Sequence, residues 1–194
     1  MNDRLKKQLE FILEIDKEKN IFRQTHLTGY VRNENDAEHA WHMAVMAYLL
    51  REYANENVDI GKVMLMCLIH DIVEIEAGDT YAYDEEAKKS QKEREEAAKE
   101  KIFSMLPDDQ KRDLIHIFDE FEAMETPEAK FARALDNVQP LLLNDSNGGK
   151  DWIKHQVSAD KVYARQQKTK AGSEILYDVA DQIIQENIQK GNLK

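Results

Sequence analysis

Cysteine, proline and glycine are all scarce in this 194-residue chain, at one, three and seven copies. The lone Cys67 cannot close an intrachain disulfide, which excludes the small disulfide-stapled scaffolds. It stands inside the apolar run VMLMCLI, where a buried small hydrophobe is expected rather than a reactive thiol. The few prolines and glycines do not gather into a linker, so a single domain over 1–194 is expected, and a 42% hydrophobic content gives it core enough to stand alone. No apolar run is long enough to cross a bilayer. The segment MNDRLKKQLEFILEIDKEKN also lacks the continuous apolar stretch of a secretory signal, so a cytoplasmic location without a membrane partner is expected.

Basic charge is in deficit as well. With 27 Lys and Arg against 38 Asp and Glu, the formal net charge is -11. That balance argues against a nucleic-acid polymer as partner, because tracking a phosphate backbone needs clustered cations. A small phosphate ester remains a suitable ligand if a metal ion or a local basic pocket offsets the general repulsion.

What is present reads as helix. Leu5, Leu9, Ile12 and Leu13 recur at helical spacing and predict an amphipathic helix over roughly 3–18. Phe22 to Asn35 has no period and reads as an ordered loop. A second helix starts near Asp36, and a third, capped by Asp59, runs through GKVMLMCLIHDIVEIEAG to a stop at Gly78. This third helix is apolar on nearly every side and is expected to be the central one. The turn DTYAYDEE leads to the charged helix KKSQKEREEAAKEKIFSML, whose charges predict a solvated face. Pro107 and Asp108 open a helix ending near Met124, and Thr126-Pro127-Glu128 opens another carrying KFARALDNVQPLLL. LNDSNGGKD reads as a turn, and helices near 159–169 and 173–189 complete the chain. No segment alternates convincingly enough for a sheet, so the fold class is all-α, a bundle of about seven or eight helices.

Polar residues intrude on this pattern. His70 and Asp71 end the apolar run of the helix expected to be most buried, and Glu74 lies one turn on. Burying charge is costly unless it is paired or bound to metal. A His-Asp dipeptide alone is weak, since a hydrogen bond inside a core explains it equally. His39, however, shares a face with the core-directed Met43 and Met46, and Asp136 lies among Phe131, Leu135 and Leu142. Two imidazoles and two carboxylates suit one divalent transition metal (Mn, Co, Fe, Ni or Zn), leaving positions open to water that then loses a proton near neutral pH.

The order His39, His70-Asp71, Asp136, with the blocks RNENDAEHAWHMAVMA, LIHDIVEIEAGDTYAYD, LPDDQKRDL and ETPEAKFARALDNVQPLL, resembles the HD-domain phosphohydrolase superfamily. The likeness runs over roughly residues 20–145 and is nearest the 5′-deoxynucleotidase branch, which dephosphorylates deoxyribonucleoside monophosphates. It implies that His39, His70, Asp71 and Asp136 hold the metal and that Glu74 faces the scissile phosphate. It further implies that Asp79 and Thr80 contact the sugar and that Arg23 binds the phosphate. A homodimer is also implied. Two departures from the bacterial deoxynucleotidases, Gln24 in place of a tryptophan and Thr80-Tyr81-Ala82 in place of Pro-Thr, fall at substrate-facing positions and bear on selectivity rather than on metal chemistry.

Other residues read more plainly. His42 is a hydrogen-bonded neighbour of His39 that supports it rather than a ligand. His26, His116 and His155 are surface or loop residues, Trp41 and Trp152 are packing residues, and Lys130 and Arg133 fit either surface charges or an offset for Asp136. The expected activity is attack of metal-activated water on a 5′-nucleotide, with Asp71 and Glu74 as catalytic residues, releasing nucleoside and phosphate. Rival readings are a phosphodiesterase or nucleoside-triphosphate hydrolase, a diiron oxygenase, and a non-catalytic metal- or nucleotide-binding regulator.

Overall fold

A computed structural model describes residues 2–78 and 88–194. Its helices are α1 (Asp3–Ile15), α2 (Asp36–Leu50), α3 (Ile60–Ile69), α4 (Glu74–Ala77), α5 (Lys88–Phe103), α6 (Asp108–Ala123), α7 (Pro127–Ser146), α8 (Lys150–Lys154), α9 (Ala159–Gly172) and α10 (Glu174–Gln189). The fold is all-α, as expected. Its boundaries follow local chemistry: Asn35 and Glu38 form a reciprocal capping box at the start of α2, the Asp59 carboxylate accepts from the amides of Gly61 and Lys62, and the Thr126 hydroxyl accepts from Ala129 ahead of Pro127. Each satisfies amide donors that the first turn of a helix leaves without partners.

Several expectations need correction. The stretch read as a loop contains an antiparallel hairpin, β1 (Phe22–His26) and β2 (Asn33–Asn35), which turns through Gly29 and Tyr30 at φ +83° and +59°. Its register is irregular between the Phe22 and His26 pairs, which removes the strict alternation by which a strand is recognised. The third helix is not continuous. After Ile69 the amides of Ile72 and Glu74 bond to the carbonyls of Ile69 and Asp71, three residues back, so the backbone tightens through His70-Asp71 before α4 begins. The central helix is α7, with twelve buried residues against four in α3, whose Leu68 is exposed. Lastly, LNDSNGGKD is not one turn, since α7 extends to Ser146 and Asp151 lies in α8.

Three apolar clusters surround α7 and α3. One joins α2, α3, α6, α7 and α10, another α1, α3, α5 and α6, and the third α7 to α10. Gly172, at the end of α9, lies so close to α7 that a Cβ there would sit 2.1 Å from the Lys130 carbonyl oxygen. That approach brings Arg165 of α9 to the middle of α7. The stripe on α1 behaves differently from its expected role: Leu5, Leu9, Ile12 and Leu13 are exposed, and Phe11 is the buried residue. Trp41 is likewise exposed rather than packed, whereas Trp152 is buried as expected.

Candidate metal centre

His39 enters from the first turn of α2, His70 from the end of α3 and Asp136 from the middle of α7, and all three are buried. One ligand atom from each lies within 4.8 Å of the others. His39 Nε2 is 3.3 Å and His70 Nε2 3.9 Å from Asp136 Oδ1. His70 Nε2 is buried without a hydrogen-bond partner, 3.2 Å from Asp71 Oδ2. Two imidazole nitrogens and a carboxylate oxygen facing one space, one of them unbonded, fit a divalent cation, which supplies the missing partner. Asp71 stands at the edge of this group, its Oδ2 also 2.7 Å from Arg23 Nη1.

Electrostatics divide the two histidines. Burial and the nearby Arg23 charge push His39 down to about 4, so it is neutral at pH 7 and able to ligate. Burial also pulls on His70, but the Asp71 and Asp136 carboxylates outweigh it and raise its pKa. Asp71 and Asp136 resist the upward push of burial. His70 and Arg23 hold Asp71 far below the usual carboxylate range, and Arg165 and Arg133 do the same for Asp136.

Arginines hold the carboxylates in place. Arg23 Nη1 also donates to Asp36 Oδ1 at 3.1 Å, and its Nε is 4.0 Å from Glu34 Oε2. Arg133 donates to Asp136 Oδ2 at 3.1 Å and to Glu122 at 2.6 Å, while its guanidinium lies 4.1 Å over Phe121, whose ring also packs on His70. Of the two readings of Arg133, the offset for Asp136 therefore describes it. Arg165 adds a contact to Asp136 Oδ1 at 3.4 Å.

Glu74, on the first turn of α4, is buried, and its carboxylate acts on the Arg23 guanidinium. Asp79, Thr80, Tyr81 and Ala82 lie outside the described residues, and Gln24 is half-buried on β1. His42 does bond within the shell, through Gln139. His116 is exposed, as expected, but His26 is not a surface residue: its Nδ1 is 2.8 Å from the buried Asp151, and its ring stacks on Tyr30 at 3.9 Å, which ties β1 to α8. Leu142 is partly exposed and turned from the core residues near Asp136. Cys67 is buried, its thiol pushed up by burial.

Glu18, Glu34, Asp36, Gln139 and Arg165 are polar residues near the site that the sequence reading passed over. Glu34 and Asp36 had a signal, two acids in NEND beside a ligand helix. Glu18 and Arg165 had none, because DKEK and KVYARQQK read as exposed charge.

The HD domain family model matches residues 15–176. The 5′-deoxynucleotidase HDDC2 of Homo sapiens is 31% identical over 120 residues, 59% of this chain and 57% of that protein, and its Mus musculus counterpart is 32% identical over the same length. The chain thus matches a little over half the length of these relatives. A crystal structure of a predicted metal-dependent phosphohydrolase from Magnetospirillum magnetotacticum MS-1 superimposes with a TM-score of 0.94 at 48% identity, covering 98% of this chain and 96% of that one. From the extent of the family match and a ligand cluster shared between three helices, the chain belongs to the HD-domain family.

Proposed function

We propose that this chain is a metal-dependent phosphohydrolase that removes the 5′-phosphate from deoxyribo- or ribonucleoside monophosphates. The observation that carries the reading is the buried set of His39, His70 and Asp136 with an unbonded Nε2 on His70, next to the half-buried guanidinium of Arg23. Support for the nucleotide substrate comes from relatives named 5′-deoxynucleotidase.

His39, His70, Asp71 and Asp136 would hold one divalent ion of Mn, Co, Fe, Ni or Zn. When bound, such an ion acidifies water and offsets phosphate charge. The chain's own groups do the rest. Asp71 and Asp36 both engage Arg23 Nη1, which fixes the guanidinium beside the ligand cluster to receive a phosphoryl oxygen. Glu74 moves a proton between the attacking water and the departing nucleoside oxygen, and the P–O bond to the 5′ oxygen breaks as the bond to water forms. Asp79 and Thr80 serve the sugar end in this reading, and Gln24 tunes selectivity.

We place the enzyme in the cytoplasm, in keeping with a single buried cysteine, and no described helix is long and apolar enough to cross a membrane. We also propose a homodimer. Trp41, Tyr48 and Leu49 of α2 and Ile12 and Leu13 of α1 are more than half exposed, and an apolar groove of about 750 Å³ lies between α1, α3 and α6. Trp41→Lys combined with Leu49→Lys should give a monomer by light scattering if that face is used.

The test is a screen of deoxy- and ribonucleoside monophosphates, cyclic nucleotides and triphosphates with Mn, Co, Mg or chelator, reading released phosphate. Metal-dependent release from monophosphates supports the proposal. Release confined to cyclic nucleotides or triphosphates, or none with any metal, contradicts it.

A further inference from the structure

Gln139 is fully buried in α7, one residue before Pro140, and joins three groups. Its Nε2 lies 2.6 Å from Glu34 Oε1 and 3.1 Å from His42 Nδ1, and its Oε1 lies 2.9 Å from His39 Nδ1. From this geometry we infer that Gln139 is a positioning residue: it locks His39 in the Nδ1–H tautomer and so presents a bare Nε2 to the metal.

The direction of the chain of bonds decides the tautomer. Glu34 Oε1 accepts from the Gln139 amide nitrogen at 2.6 Å, which fixes the amide with its nitrogen toward Glu34. The carbonyl must then face His39. A carbonyl only accepts, so His39 Nδ1 has to carry the hydrogen and Nε2 keeps its lone pair, 3.3 Å from Asp136 Oδ1. His42 Nδ1 accepts the second amide hydrogen and leaves the NH2 group fully used. Burial pushes Glu34 up to about 7 against the pull of Arg23, whose Nε lies 4.0 Å from Oε2; a proton on Oε2 leaves Oε1 an acceptor all the same. The flipped arrangement would put an N–H on Nε2, donating to Asp136, and that proton would have to leave before a cation could bind.

The inference rests on His39 being a metal ligand but not on the reaction catalysed. Its test therefore reads tautomer and metal affinity, never phosphate release, so its failure leaves the nucleotidase proposal standing and the converse also holds. In 15N-histidine-labelled wild type stripped with chelator, His39 should show a protonated Nδ1 and an unprotonated Nε2 before zinc is added. Gln139→Met keeps the length and removes both hydrogen-bonding ends. It should lower zinc affinity roughly 10- to 100-fold by chelator competition, with His70 signals unchanged.

Exchanging the pair, Glu34→Gln with Gln139→Glu, puts the acceptor opposite His39 and the donor behind it. The exchange should recover most of the affinity that each single change loses, which a simple packing role does not predict. A hydrogen on Nε2 in the stripped wild type, or unchanged zinc affinity in Gln139→Met, overturns the inference. Should Gln139→Met fail to fold, the wild-type spectrum and the exchange decide it.

Discussion

His39 and His70 turn the same nitrogen toward the same space, yet different parts of the molecule hold them there. His70 Nδ1 bonds at 2.9 Å to the backbone carbonyl of Cys67, one turn back in its own helix. His39 Nδ1 bonds to the side chain of Gln139, a hundred residues away and itself oriented by Glu34. A main-chain acceptor survives any substitution that keeps α3 folded, whereas a side-chain acceptor is lost with one codon. The two histidines are also pushed in opposite directions: burial and then Arg23 lower His39, whereas the Asp71 and Asp136 carboxylates raise His70 against the same burial. One side of the centre is thus built by local helix geometry and the other by long-range packing of α7 against α2 and the hairpin.

The most damaging changes should act on both sides alike. His70→Ala or Asp136→Ala should abolish metal retention and phosphate release together, measured by bound-metal analysis and turnover; undiminished metal-dependent turnover would falsify their assignment. Glu74→Gln should separate the two readouts, with metal retained and kcat reduced roughly a hundredfold or more. If metal is lost along with activity, Glu74 belongs to the ligands instead.

Smaller effects sharpen the contrast. Arg133→Met removes a charge-assisted bond to Asp136 Oδ2 and should weaken metal binding about tenfold while sparing the His70 lock. Cys67→Ala should cost about 1 kcal/mol of stability in a denaturant titration but leave metal affinity within about twofold, since the acceptor for His70 is the carbonyl and not the thiol. A large loss of affinity there would mean that the His70 side is as dependent on side chains as the His39 side.

Glu18 gives a test through pH. Burial, then the Asp71 and Asp36 carboxylates, push it up to about 8, and its Oε1 is buried without a hydrogen-bond partner. The folded state thus binds this proton more tightly than the unfolded chain, for which the ordinary value of about 4.5 applies. The associated stability is complete below pH 4.5, falls as pH rises and is gone above about 8. Glu18→Gln should therefore raise Tm at pH 8, by a gain equivalent to a few kcal/mol at most, and the gain should vanish toward pH 4.5. An equal Tm shift at both ends would point to packing rather than charge.

Much of this was legible in the sequence because it was local. Asp59, Thr126-Pro127 and Pro107 mark helix starts through short-range hydrogen bonding and fixed φ, and α3, α6 and α7 begin where those residues place them. His39, His70 and Asp136 stood out as polar residues at positions that a helical period assigns to the core. What was missed is long-range. The tightening at His70-Asp71 is invisible to a periodicity that continues through it, and the hairpin hides behind an irregular register. Gln139 gave no sign, since an amide in an apolar helix acquires its role only from Glu34 and His42, which the fold brings to it. The exposed stripe on α1 erred in the opposite sense, because amphipathic spacing identifies an apolar face but not what covers it.

The central claim is a metal-dependent phosphomonoesterase centred on His39, His70 and Asp136. Its most direct measurement is phosphate release from a panel of nucleoside 5′-monophosphates by wild type and His70→Ala, each stripped with chelator and then supplied with Mn or Co. The account predicts turnover by wild type only when metal is restored, and none by His70→Ala under any condition. Equal turnover by the two proteins, or turnover by wild type indifferent to metal, would contradict it.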